Sequence, residues 1–358
     1  MKPPKDYEVA GGEYSFSPRT SSGLTAERVA DVFARRAAVV SESRETIAGL
    51  RNLIRESVSE NTLKAYCRAL GRLVVFMGIP SAEEANIRVL LEKLDDITLA
   101  RYVARIEAEG KAPATAQMVI AAVRYAAKLW ERESPVGRIT AKAMCGFRRK
   151  GAERGRGQAR GVTWTQAERI ATMAGAEADS LSGIRDAALI SVMSDAMLRI
   201  SEATALLVSD VTEETDGSGR ASVRRSKTDQ EGRGTVLYLG RPTMARVRAW
   251  CEAADLNDGA LFRSVSRGNL FTSRVGETPL SPASIRRILK TRAAQAGIEG
   301  VSGHSLRVGA AQSMALGGAT LVDMQIAGRW RSPQMPASYA REQLAGRNAV
   351  ARIRYGCK

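Results

Sequence analysis

The sequence predicts a mainly α-helical protein of two domains, the second a mixed α/β unit that is mostly helical with one small β-sheet. Three observations carry that reading. A chain of 358 residues is long enough for two cores, and the length prior favours two domains. Apolar residues recur at helical spacing from Leu24 to about Met144, and helical patterns return after Val162. Between them, Arg148 to Gly161 carries six basic residues, four glycines and one acid with no apolar period, the composition of an extended linker.

Residues 1–45 read as an N-terminal arm, the first 22 being rich in Pro, Gly, Ser and charge. A helical domain follows over 46–147. In Asn61 to Gly78, Leu63, Tyr66, Leu70, Leu73, Val74 and Met77 form one apolar stripe, with Lys64, Arg68 and Arg72 off it. Asp95 to Glu109 reads the same way, as does Thr115 to Glu131, which starts at Pro113 and Thr115 and carries Arg124 and Lys128. The linker spans 148–162 and the second domain 163–358. There, Ile184 to Met193 is apolar on nearly every face, as a buried helix requires, and Arg199 to Leu207 follows after a short break. Ala221 to Arg225 and Gly234 to Leu239 read as two strands flanking a polar turn that holds Lys227. Ser284 to Ala296, Ser305 to Leu316 and Leu321 to Ala327 are further helices. Ser332 and Pro333 can start one more, in which Pro336 removes a backbone donor near the first turn, so Tyr339 rides on a short, loosened helix.

Lys and Arg number 54 against 38 Asp and Glu, a net charge of +16, which marks a polyanionic partner, nucleic acid first. Arg68, Arg124, Lys128, Arg148, Arg149, Lys150, Arg154, Arg156 and Arg160 are the candidate DNA contacts. No run of eighteen apolar residues and no signal-peptide core occur, so a cytoplasmic protein without membrane contact is expected. Cys67, Cys145, Cys251 and Cys357 lack C-x-x-C spacing and read as reduced thiols. With one histidine in the chain, no metal site and no cofactor are expected.

That histidine lies in Gly303-His304-Ser305-Leu306-Arg307. His304 and Arg307 are one helical turn apart. Ser302 and Ser305 are start signals and Gly317-Gly318 a stop, which places His304 at a helix N-terminus, where free N–H groups and the dipole favour an anion. A phosphate there is within the chemistry of an imidazole, a guanidinium and a phenol. Alone, each residue has a plainer reading: Arg199 as a helix-surface arginine, Lys227 as a turn lysine, Trp330 and Tyr339 as packing aromatics.

Taken together, Leu198-Arg199-Ile200-Ser201-Glu202, Ser226-Lys227-Thr228, His304-Ser305-Leu306-Arg307, Gly328-Arg329-Trp330 and Tyr339 nine residues after Trp330 resemble the tyrosine recombinase, or phage integrase, family. The resemblance covers the whole second domain and continues weakly into the first. It implies a C-shaped two-domain clamp on duplex DNA and metal-free strand exchange. Tyr339 would be the nucleophile. Arg199 and Arg307 would fork onto the phosphate oxygens, His304 would take the phenol proton, and Trp330 would donate through its indole N–H. Lys227 would protonate the leaving oxygen, and Glu202 would orient its partners. The implied partner is duplex DNA with a specific, inverted-repeat site, bound by a homotetramer on two sites. Subunits would exchange a C-terminal helix at about 346–356 that carries Val350, Ile353 and Tyr355; the alternative is packing of that helix on its own domain. Two other functions remain: a type IB topoisomerase-like relaxing enzyme, and a catalytically silent DNA-binding protein of the same fold.

Overall fold

The computed structural model describes residues 58–79, 83–155, 157–177, 180–224, 234–266, 274–346, 350, 353–354 and 356, with backbone alone at 83–86. The N-terminal arm, Arg156, Lys227 and Tyr355 lie outside the described residues. The chain divides into two compact units, residues 1–157 and 158–358.

The described part of the first unit is helical: α1 Glu60–Phe76, α2 Glu83–Lys93, α3 Asp96–Ala108, α4 Pro113–Leu129 and α5 Arg138–Lys150. Local chemistry sets the ends. Ser59 caps α1 by accepting from Thr62 N, and Asp95 caps α3 by accepting from Thr98 N at 2.7 Å. Gly78 and Gly110, both at positive φ, close those helices. The α5 N-terminus is capped from a distance: Asp96 accepts from the N–H groups of Gly137, Ile139 and Thr140 at 2.8–2.9 Å. The core holds the expected Leu63, Leu70, Leu73 and Val74 with Val103, Val119, Val123 and Phe147. Arg148, Arg149 and Lys150, assigned to the linker by composition, form the last turn of α5. Met144 and Phe147 are buried one turn apart, so core packing carries the helix on to Gly151. Basic residues in a last turn also suit the dipole.

The second unit runs α6 Trp164–Gly175, α7 Leu181–Asp195, α8 Ile200–Ala205, β1 Val211–Glu213, β2 Gly219–Val223, β3 Thr235–Leu239, α9 Arg241–Ala253, β4 Arg263–Val265, β5 Val275–Pro279, α10 Pro282–Gln295, α11 Ser305–Leu316, α12 Leu321–Gly328, α13 Gln334–Tyr339 and α14 Arg341–Ala345. Strands β1, β2 and β3 form one antiparallel sheet in that order, with Val211 opposite Ala221 and Ala221 opposite Leu237; β4 and β5 pair separately. The sequence reading has one β region. It passes over β1, β4 and β5 because strands so short, and mostly solvent-facing, carry no alternation to detect.

Helix α7 is the centre of this unit, buried from Leu181 to Ser194 on nearly all sides, as its composition predicts. It sits in a core with Leu198, Trp250, Phe262, Ile285 and Leu306. A smaller cluster of Met197, Ala310, Ala311, Met314, Ala315, Met324, Trp330 and Ala340 lies under the candidate site.

Candidate active site

The site is assembled at helix ends. Arg199 is the N-cap of α8; its backbone N–H and its Nη1 donate to Glu202, at 3.0 Å to Oε2 and 2.7 Å to Oε1. Glu202 is 4% exposed, so its charge depends on partners rather than on water. A third donor is Arg329, whose Nη2 meets Glu202 Oε2 at 3.0 Å. Arg329 ends α12 with φ +53°, and its Nη2 also meets the carbonyls of Ala196 and Met197 at 3.3 and 3.2 Å. Arg329 lies within the Gly328-Arg329-Trp330 motif, and the motif gives it no role. Its left-handed backbone and its reach to Glu202, far away in the chain, leave no local signal.

Arg307 lies in the first turn of α11 and is 3% exposed. Its Nη1 donates to Met197 O at 2.7 Å and its Nη2 to Gly328 O. Five N–H donors leave others for a ligand. Burial, with Arg199 and Arg329 adding repulsion, pushes its pKa down to about 9. Burial also lowers that of Arg329. The cluster is therefore short of negative charge.

Helix α11 packs closely on the face away from Arg307. A Cβ on Gly309 would collide with the backbone of Val162, and Val162 N donates to Ser305 O at 2.9 Å. His304 is the N-cap of α11 and exposed. The two residues that helical spacing puts on one face thus differ in burial, because the chain turns into the helix at His304. Gly303 lies tight against Ile200, which joins the α11 start to the α8 start next to Arg199.

The indole of Trp330 covers Gly328, where a Cβ would strike the ring. The Arg307 guanidinium stands 4.6 Å from the centre of the Trp330 ring system, a cation–π contact. Tyr339 meets Trp330 edge-on at 5.8 Å. It is the last residue of six-residue α13, in which Pro336 falls in the first turn, and its carbonyl accepts from Gln158 Nε2 at 3.0 Å and Gln312 Nε2 at 3.4 Å. Neither glutamine stands in a motif that marks it in the sequence.

Arg199, Glu202, Arg307, Trp330 and Tyr339 are thus brought together, with His304 at the exposed rim. Of the candidate DNA contacts, Arg68, Arg124, Lys128, Arg148, Arg149, Lys150 and Arg160 are exposed, on α1, α4, α5 and the following segment. Arg154 is half-buried: it donates to Glu107 O at 2.7 Å and pairs with the Glu107 carboxylate, which Lys150 shares at 3.1 Å. Arg160 donates to Glu299 O.

The Phage integrase family profile matches residues 162–345. Recombinase Cre of Escherichia phage P1 is 24% identical over 193 residues, covering 49% of this chain and 54% of Cre, so the chain spans about half the length of that relative. The integrase/recombinase XerD homolog of Selenomonas ruminantium is 28% identical over 302 residues, covering 78% of this chain and 81% of that protein. Among solved structures, the XerH site-specific recombinase bound to its palindromic difH substrate in a post-cleavage complex shares the fold. Its TM-score is 0.62 over 93% of this chain and 99% of XerH, at 15% identity. Neither the relaxing enzyme nor the silent DNA-binding protein is favoured by these matches.

Proposed function

The chain belongs to the phage integrase family, and we propose that the cluster around Glu202 is the centre at which it cuts and rejoins duplex DNA. The protein is a site-specific DNA recombinase. The observation that supports this centre is the pairing of Arg199 and Arg329 on one buried carboxylate, with buried Arg307 against the Trp330 ring that Tyr339 meets. A phosphodiester passing to a pentacoordinate phosphorane gains negative charge, and cations fixed in a low-dielectric site favour that gain.

In this reading the Tyr339 oxygen attacks phosphorus, an O–P bond forms, and the bond to the 5′-oxygen breaks. A 3′-phosphotyrosyl link and a free 5′-hydroxyl result. Attack by a 5′-hydroxyl of the partner strand reverses the step on a new end, and the phosphoester bond energy is conserved throughout. A free phenol ionises near pH ~10, so its proton must leave during attack; His304 at the rim takes it. Arg199 and Arg307 hold the non-bridging oxygens, with the indole N–H of Trp330 a further donor. Lys227 protonates the leaving oxygen, and Glu202 aims Arg199. The guanidinium groups supply the positive charge that a metal would otherwise bring, so the reaction is metal-independent.

The division of labour is a helical DNA-binding domain whose last helix ends at Lys150, a short basic connection after it, and a catalytic domain that begins by Val162. Arg68, Arg124, Lys128, Arg148, Arg149 and Lys150 meet phosphates. The assembly is a tetramer on two inverted-repeat sites, joined by the tail. In support, Val350 and Ile353 are 60% and 84% exposed on the single chain, and apolar side chains exposed together call for a partner surface.

A nicked duplex that releases a short 5′-hydroxyl strand on cleavage traps the covalent adduct. Wild type should accumulate adduct in excess EDTA, and Tyr339→Phe should bind the same duplex and form none. Adduct with Tyr339→Phe would move the nucleophile elsewhere, and loss of wild-type adduct in EDTA, restored by magnesium, would overturn the metal-free mechanism.

A further inference from the structure

We infer that Arg329 is a positioning residue that keeps Arg199 turned toward the phosphate by occupying the second oxygen of Glu202. This rests on the assignment of the catalytic centre above.

The geometry is a division of one carboxylate between two guanidinium groups. Arg199 takes Oε1 through Nη1 at 2.7 Å, and Arg329 takes Oε2 through Nη2 at 3.0 Å. An arginine and a carboxylate left to themselves favour a two-pronged pairing, with parallel N–H donors on both oxygens. Arg199 and Glu202 lie three residues apart, with side chains 15% and 2% exposed, so nothing in solvent competes for the carboxylate. Arg329 does. With Oε2 held by Arg329 and by the Arg199 backbone N–H, the Arg199 guanidinium bonds Glu202 through one nitrogen among the described contacts. The rest of its fork is left for a ligand. Without Arg329, the Arg199 fork closes on both oxygens and turns from the phosphate.

Two further observations fit. The Arg329 backbone has φ +53°, a conformation glycine adopts freely and L-residues rarely, so backbone preference does not explain an arginine there. Arg329 Nη2 also reaches Met197 O, the carbonyl that receives Arg307 Nη1. One side chain thereby ties the Glu202 carboxylate to the Arg307 anchor.

The test uses the full-length protein and the nicked duplex under single turnover at saturating protein. Arg329→Gly relieves the left-handed backbone and removes the guanidinium. It should retain duplex affinity and lower the rate of adduct formation by about 10- to 100-fold, the scale of loss from misplacing a catalytic group. Arg329→Lys should fall between, because it keeps a cation on Oε2. If Arg329 acts through the carboxylate, Glu202→Gln and the Glu202→Gln/Arg329→Gly double variant should cleave at the same rate. A thermal melt of each variant identifies loss through unfolding. If Arg329→Gly melts with a cooperative transition and cleaves at the wild-type rate, or if the double variant loses the full product of the two single effects, the inference is overturned. Absence of adduct with wild type would instead remove the catalytic assignment beneath it.

Discussion

Arg185, Asp186, Arg292 and Glu177 form one ionic cluster in the second unit; Arg199, Glu202, Arg307 and Arg329 form another. In the first, Asp186 takes Arg185 through Oδ1 at 2.6–2.9 Å and Arg292 through Oδ2 at 2.8 Å, and Arg292 also meets Glu177. Cations and carboxylates are equal in number. In the second, Arg199 and Arg329 share the one carboxylate of Glu202, and Arg307, bonded to the carbonyls of Met197 and Gly328, feels it only through space. Burial alone would lower the pKa of Arg292, yet its bonds to Glu177 and Asp186 raise it. Burial, then repulsion from Arg199 and Arg329, carries that of Arg307 down to about 9 against the pull of Glu202 and Tyr339. The balanced cluster is complete as it stands and ties α7 to α10. On the proposed function, a phosphate completes the unbalanced one. If the second cluster is the catalytic centre, charge balance is what sets it apart from the first, since burial is common to both.

The largest expected effect breaks the unbalanced cluster. Arg307→Ala and Arg199→Ala should each lower adduct formation by about 10²- to 10³-fold, as loss of a preorganised charge donor does, while duplex binding in a gel-shift assay persists. If the cluster is a charge-deficient site, Arg307→Met should hold or raise the melting temperature, because it removes an under-compensated buried cation. A sharp fall in that temperature would make Arg307 structural, like Arg292.

The balanced cluster should respond in the opposite sense. Asp186→Ala leaves Arg185 and Arg292 buried against each other and should cost about 3–5 kcal/mol in urea unfolding. Per folded molecule, cleavage should stay near wild type. Unchanged stability would remove the distinction between the clusters.

A smaller effect tests regions where exposure, not burial, is the feature. Deleting residues from Gly346 onward removes the exposed Val350 and Ile353 and should change monomer stability by no more than about 0.5 kcal/mol. Half-site binding should remain, and cooperative full-site binding should disappear. Retained cooperativity would place the subunit contact elsewhere.

The smallest effect is an acid titration in the first unit, whose charges sit at the surface. The Thr140 hydroxyl, and then the backbone N–H groups of Thr140, Ile139 and Gly137, hold the Asp96 carboxyl down at about 2 from an ordinary 3.8. A depressed carboxylate pKa stabilises above the unfolded value, and that contribution is lost as pH falls through the folded one. The difference in unfolding midpoint between wild type and Asp96→Ala should therefore be full at pH ~5 and shrink toward pH ~2. A pH-independent difference would mean that the carboxylate charge is not what caps α5.

Helix periodicity was legible in the sequence wherever one stripe meets one core. The bounds of α3 and α11 follow from Asp95 and from Gly317, because caps and stops act over a single turn. The candidate set Arg199, Glu202, His304, Arg307, Trp330 and Tyr339 was legible too, through the resemblance of its motifs, taken in order, to the phage integrase family. The length of α5 was not legible, since Met144 and Phe147 extend it by packing on the core while its last residues read as linker. Nor were the short edge strands.

Only the tertiary structure decided which arginine is buried. His304 and Arg307 share a motif, yet one is exposed and the other 3% exposed; Arg292 and Arg307 are both buried, yet one is neutralised and the other is not. Arg329 joins the site from more than a hundred residues beyond Glu202. The sequence by itself determined the local geometry and the chemical inventory, because hydrogen bonds of caps and helical turns close within a few residues. Charge balance is a sum over neighbours in space, taken where water no longer screens it, and only the folded chain selects those neighbours.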